Sequence, residues 1–220
     1  MNVQIKRPLV TISLIVANIV VYILMTVAGG STNPLVLIKF GAKVNEYILM
    51  GQWWRLITPV FIHIGLTHIV VNMVTLYFIG MQIEYLFGAS RYLLIYLVSG
   101  LCGNIASFVF NPNSVSAGAS TALFGLFGAY LMLGEAFREN VYIRLMSRQF
   151  LALVILNIAF GFFGNIDLAG HLGGLFGGFL IAYVLGVPKV GSVSKLKRIT
   201  AAGALIVIFG LMLYSGFNLI

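Results

Sequence analysis

The sequence predicts an all-α, polytopic membrane protein with seven spanning helices, and three observations carry that prediction. Of its 220 residues, 60% are hydrophobic and 8% charged, with a mean hydropathy of +1.05, whereas a soluble domain carries about 25% charged residues. Seven apolar runs recur along the chain, most of them near the roughly 20 residues that a helix needs to cross a bilayer. The Lys and Arg residues between the runs alternate, abundant in one loop and sparse in the next. A disordered tail, a coiled coil, a collagen or a nucleic-acid module each needs a polar or charged surface that this chain lacks. Seven spans leave no room for a separate soluble domain, so the expectation is one integral-membrane domain over residues 1–220. The single cysteine, Cys102, excludes a disulfide framework and a thiolate metal cluster.

The first run, 8–28, follows Lys6 and Arg7. It is too long for a signal peptide and is followed by more of its kind, so it reads as a span. Trp53, Trp54 and Arg55 precede the second run, 58–78. The tryptophans fit an interfacial aromatic belt, and Arg55 is expected to hold the first external loop. The third run is 92–110. The fourth, 120–134, is only about 22 Å long as a helix, too short for a hydrocarbon core of about 30 Å. The missing part must be the loop 111–119, and non-helical backbone at membrane depth is tolerated only where protein buries it or water reaches it. A water-filled cavity with Ser120 at its floor is therefore expected. The fifth run is 150–164, with Phe160, Phe162 and Phe163 as lipid-facing bulk or a door. Asp167 is placed to cap the sixth run, 168–187, in which Gly173, Gly174, Gly177 and Gly178 form two overlapping GxxxG pairs for close packing. The seventh is 199–217.

Lys6 and Arg7, then Arg91, then Arg138, Arg144 and Arg148, then Lys189, Lys195, Lys197 and Arg198 fall on one side of the membrane, and only Lys39, Lys43 and Arg55 on the other. The positive-inside rule then puts the N-terminus in the cytoplasm and the C-terminus outside. With that parity the second, fourth and sixth spans run the same way. Those three hold most of the polar residues at membrane depth: His63, His68 and Asn72; Ser120 and Thr121; Asp167 and His171. Counting 1.5 Å per residue from the inner ends places Ser120 roughly 8 Å, His171 roughly 5 Å, Asn72 roughly 12 Å and His68 roughly 6 Å below the outer surface. A Ser, two His and an Asn converge in one layer. Glu84 marks the inner end of the second span.

Ser120 with His171 is a nucleophile and general-base pair, in which imidazole takes the hydroxyl proton and later gives it to a leaving amine. A helix N-terminus at Ser120 offers free N–H groups to a developing oxyanion. His68 and Asn72, four residues apart on one helix face, suit the same purpose. His63 lies about 140° around the helix from His68, so the two do not form an adjacent metal-binding pair. With no Cys cluster or neighbouring carboxylate, no metal site is expected.

These residues together resemble the rhomboid family of intramembrane serine proteases. The resemblance rests on Trp54-Arg55 in the first external loop, His63, His68 and Asn72 as HxxxxHxxxN, Gly118-Ala119-Ser120 heading the fourth span, and Ala169-Gly170-His171-Leu172-Gly173-Gly174 leading into Gly177-Gly178 in the sixth. It implies a six-helix rhomboid bundle over about 8–187 with one extra C-terminal span over about 199–217, in a bacterial plasma membrane. It implies a Ser120–His171 dyad without an acidic third member, and an oxyanion hole from His68, Asn72 and the Ser120 N–H. Single-span membrane proteins within the lipid bilayer are the implied substrates, with no cofactor. Two positions depart from the family pattern: Thr121 stands where GxSG has glycine, which is expected to alter the oxyanion loop, and Phe124 stands where relatives often have Tyr and can stack on His171. The competing expectations are an inactive rhomboid-like protein that binds membrane helices, and a small transporter using the same polar cavity.

Overall fold

The computed structural model describes residues 8–161 and 166–219. In chain order its helices are α1 (Leu9–Val27), α2 (Pro34–Phe40), α3 (Asn45–Leu49), α4 (Gly65–Phe87), α5 (Ala89–Phe110), α6 (Ser120–Ala136), α7 (Val141–Gly161), α8 (Leu168–Leu185) and α9 (Lys195–Leu219). No strand occurs among the described residues, only isolated bridges such as Lys43 with Ser116. Six of the helices are long and apolar enough to cross a membrane, and α6, with 17 residues, is the short apolar one. The chain is an all-helical, multi-pass membrane protein.

Two helices begin seven or more residues away from where the apolar runs predict. The run 58–78 is expected to be helical throughout, but residues Trp53–Leu56 and Thr58–Phe61 form two 3-10 turns and α4 starts only at Gly65. Leu56, Val60 and Ile62 are buried, so this stretch is apolar because protein covers it, not because it spans lipid. His63 consequently lies ahead of the helix. α7 likewise starts nine residues before the expected 150, which puts Arg144 and Arg148 on its exposed first turns rather than in a loop. Phe162 and Phe163, the candidate door, lie outside the described residues, as does the side chain of Phe160.

α6 sits at the centre of the bundle. Twelve of its 17 residues are buried, so it faces protein and has no need to match the bilayer thickness. The contact with α8 is backbone against backbone. A Cβ at Gly174 would overlap the Thr121 carbonyl, and one at Gly178 would overlap the backbone of Gly125. Gly173 and Gly177 turn the other way, onto Ala106 and Cys102 of α5. The two GxxxG pairs thus seat α8 against two different helices.

At the opposite end of the bundle, buried Glu84 closes the N-terminus of α1. Its carboxylate accepts from the Val10 N–H at 3.0 Å, the Thr11 N–H at 2.8 Å and the Thr11 hydroxyl at 2.7 Å. An anion is well placed there, where the helix has unpaired donors and a partial positive charge.

The loop between α1 and α4 is built on two buried cations. Arg55 donates to the Ile38 carbonyl at 2.8 Å and the Ala42 carbonyl at 2.9 Å, closing the C-terminal end of α2, and its Nε donates to Gln52 at 2.7 Å. Lys43 is fully buried and its ammonium reaches the Asn111 carbonyl at 2.7 Å. The backbone of Lys43 also pairs with Ser116 in both directions, which fastens this loop to the segment leading into Ser120.

Candidate active site

Ser120 is the first residue of α6, and Ala119 before it offers no side-chain cap, so the leading N–H groups of the helix are free. The preceding segment turns sharply at Gly118, whose φ is +136°. That conformation favours glycine, and space demands it too. A Cβ at Gly118 would lie 2.7 Å from Cε1 and 2.8 Å from Nε2 of His68. The Ala119 N–H is already committed, at 3.3 Å, to Nε2 of His63. Buried His63 therefore stands behind this loop, edge-on to His68 with ring centroids 5.2 Å apart.

His171 lies in the first turn of α8 with Nε2 2.9 Å from the Ser120 hydroxyl oxygen. Phe124, one helical turn along from Ser120, stacks on the imidazole at a centroid distance of 4.1 Å and an interplanar angle of 17°. Nδ1 of His171 is buried and makes no hydrogen bond among the described residues. On the facing wall, Nδ1 of His68 accepts from the Ile64 N–H at 3.4 Å, which assigns the ring proton to Nε2, the nitrogen turned toward Gly118 and Ser120. Asn72 spends one amide proton on the His68 carbonyl at 3.0 Å and keeps one free.

These side chains line one end of a cavity of about 1320 Å³ that runs between α4 and α7. It begins at the loop beside Ser116 and Gly118 and follows α4 past Thr75 to Gln82, with Asn157 on the α7 wall. Gln82 is fixed by the Tyr130 hydroxyl at 2.6 Å. The long axis of the cavity therefore follows a membrane helix.

The remaining candidate residues lie around this centre. Trp54 is exposed and Arg55 is spent on the loop carbonyls. Gly174 and Gly178 seat α8 on α6. Thr121 borders the cavity, and its Cβ and methyl group pack into the seam between α5 and α8, where Gly103 and Gly170 leave room for them. The β-branched residue is thus absorbed by two glycines behind the site. No three His, Cys, Asp or Glu side chains among the described residues cluster closely enough to hold a metal ion.

Asp167 does cap α8, accepting from the Gly170 N–H at 3.0 Å, but its other oxygen has partners the sequence reading did not anticipate. It accepts from the Ser116 hydroxyl at 2.7 Å and from the Ser107 hydroxyl at a shorter distance. Burial pushes this carboxyl up, but the bonds from Ser107, the Gly170 N–H and Ser116 outweigh it and hold Asp167 below the ordinary carboxylate value. Burial lowers Lys43 to about 8, opposed by the negative charge of Asp167. A signal for the serine did exist: Ser116 precedes Ser120, and Asp167 precedes His171, by the same four residues.

A model of the rhomboid domain matches residues 50–188. The rhomboid protease GluP of Bacillus subtilis (strain 168) is 43% identical over 213 residues, covering 96% of this chain and 41% of GluP. The putative rhomboid protease YdcA of the same organism is 39% identical over 142 residues, 64% of this chain and 71% of YdcA. RHOMBOID-like protein 7 of Arabidopsis thaliana is 37% identical over 164 residues, 70% of this chain and 52% of that protein. The chain thus spans about two fifths of GluP and about half of the plant relative. The matched domain runs from the first loop through α8 and takes in Ser120, His171, His68 and Asn72, and by this match and these identities the chain belongs to the rhomboid family.

Proposed function

We propose that the chain is an intramembrane serine endopeptidase that cuts single-span membrane proteins in or near their transmembrane segments, with Ser120 as nucleophile and His171 as general base. The observation that carries this reading is the 2.9 Å approach of the Ser120 oxygen to Nε2 of His171 inside a cavity open along a membrane helix. That two relatives bear the name rhomboid protease supports the reaction class.

In this mechanism Nε2 of His171 takes the Ser120 proton as the oxygen attacks the scissile carbonyl. The negative charge that forms on the carbonyl oxygen is received by the Ser120 N–H, Nε2–H of His68 and the free amide proton of Asn72. His171 returns the proton to the leaving amine, and the acyl-enzyme is hydrolysed by water from the cavity with the same base. No acidic partner serves His171, because the Asp167 carboxylate is occupied by Ser107, Ser116 and Gly170. The stacked Phe124 holds the imidazole plane instead. The reaction needs no cofactor.

In the same reading α1 and α4 to α8 form the catalytic core, and α9, packed on α5 and α8, is an added span. The substrate helix enters from the bilayer between α4 and α7. The cavity end of the bundle faces outward, which agrees with the scarcity of free positive charge there once Lys43 and Arg55 are consumed by loop carbonyls. Labelling with a fluorophosphonate probe tests the proposal: the parent protein in detergent should be labelled covalently and Ser120→Ala should not. Folded parent that takes no label, and leaves a single-span protein uncut in proteoliposomes, would refute it and point to a protein that binds helices without cutting them.

A further inference from the structure

Ser120 and His171 come from different segments, and the 2.9 Å between their reacting atoms is a hydrogen bond that chemistry itself breaks at every turnover. Something else has to hold the two segments in register while the proton is on imidazole. The seam of glycines does so below the dyad, toward the inner part of α6 and α8. Above it, on the loop side, a further link joins the segments. The Ser116 hydroxyl, four residues before Ser120, donates to the Asp167 carboxylate, four residues before His171, at 2.7 Å.

That link is anchored on every side. Asp167 is fixed to its own helix by the Gly170 N–H at 3.0 Å and to α5 by the Ser107 hydroxyl. Ser116 is fixed to the first loop by the two backbone bonds with Lys43, at 2.9 and 3.1 Å. The Lys43 ammonium in turn holds the Asn111 carbonyl at the start of the same segment. With the Ser107 and Ser116 hydroxyl protons both turned to one oxygen, that oxygen acts only as an acceptor, as an ionised carboxylate does. Hydrogen bonds to ionised groups are shorter and stronger than neutral ones, so a small contact of two side chains ties three elements together.

Resting on the dyad reading above, we infer that Asp167 and Ser116 are a positioning pair: their hydrogen bond sets the separation of the Ser120 and His171 segments on the loop side of the dyad. Both residues border the loop end of the cavity, but they act on the reacting atoms through the segments that carry Ser120 and His171. Their effect is on the chemical step and the geometry of attack, where a misplacement of 1 Å can cost about 100-fold in rate.

The test uses the full chain in detergent and in proteoliposomes, with Ser116→Ala, Asp167→Ser and the double variant. Serine at position 167 retains an oxygen that caps α8 but is too short to reach Ser116, so the cap and the tie are separated. The measurements are the rate of fluorophosphonate labelling, kcat and KM on a single-span substrate, and thermal melting. Each single variant is expected to lower kcat and the labelling rate by roughly 10- to 100-fold with KM little changed, in fully folded protein at temperatures well below its melting point, although Asp167→Ser also gives up the Ser107 bond and melts somewhat earlier. The double variant is expected to be no slower than the slower single one, because both remove the same bond. Labelling and kcat within about twofold of the parent, a loss that follows melting alone, or losses that multiply in the double variant would each overturn the inference. The dyad reading has its own control in the same experiment, since unlabelled folded parent would remove both, whereas a labelled parent with unaffected variants removes only the positioning pair.

Discussion

The methyl carbon of Thr121 lies 3.2 Å from the point that a Cβ on Gly170 would occupy, so the residue after the candidate nucleophile and the residue before the candidate base share one small space. A side chain at position 170 would press on that methyl group and, at 3.1 Å, on the Asp167 carboxylate as well. Gly170→Ala is therefore expected to destabilise the bundle by about 1–3 kcal/mol, the usual cost of overpacking, and to slow labelling of Ser120. Thr121→Gly in the same chain should restore part of both losses, although Thr121→Gly alone costs stability through the void it leaves and the glycine it puts in a helix. Melting and labelling of the two single variants and the double one decide it. Strictly additive losses would show that the two positions do not share space.

Asn72 and His68 should behave alike and unlike any packing residue. Asn72→Ala or His68→Ala is expected to lower kcat by ~10²- to 10³-fold with a smaller change in KM, the typical effect of removing one oxyanion donor. Steady-state cleavage of a single-span substrate measures both constants. Undiminished turnover in Asn72→Ala would remove that residue from the oxyanion hole.

Lys43 gives a prediction in pH. Burial holds its folded value at about 8 against an ordinary value of 10.5. Below pH 8 the lysine is charged in both the folded and the unfolded chain, and its contribution does not vary. Between 8 and 10.5 the folded chain has released a proton that the unfolded chain still holds, so stability rises with pH across that window. The difference in melting temperature between the parent and Lys43→Met should therefore change in the parent's favour from pH 8 to about 10.5. A difference that is constant with pH would contradict the assignment.

Glu84 separates stability from chemistry. Glu84→Ala strips three hydrogen bonds from the N-terminus of α1 and is expected to cost about 1–3 kcal/mol. It lies sixteen residues along α4 from His68, about 24 Å, so folded protein should label at the parent's rate. A slowed labelling rate in fully folded Glu84→Ala would mean that the two ends of α4 are coupled.

The helices and the residues around Ser120 were legible in the sequence for one physical reason. In a chain with so few polar groups, Ser120, His171, His68 and Asn72 stand out at membrane depth, and a parity of spans is enough to bring them to one level. What the sequence hid depends on partners far away in the chain. Lys43 reads as a loop charge until the structure sets it on the Asn111 carbonyl. Glu84 reads as the end of a span until it is seen to close α1, and Arg55 as a loop anchor without a known hold. The start of α4 reads too early from the sequence because hydropathy reports that a residue avoids water, not whether lipid or protein replaces it. Leu56, Val60 and Ile62 avoid water inside the protein.

The glycine seam between α6 and α8 has a consequence for how much of this sequence is free to drift. At Gly174 and Gly178 a hydrogen atom is all that fits, so each position admits one residue of the twenty, and no repacking elsewhere can compensate because the obstacle is backbone. On the lipid-facing sides of α1, α7 and α9, by contrast, any apolar residue of similar bulk serves. The information that specifies this protein is therefore very unevenly spread, dense in a few letters that contribute no side chain at all and thin across the long hydrophobic runs that make up most of its length.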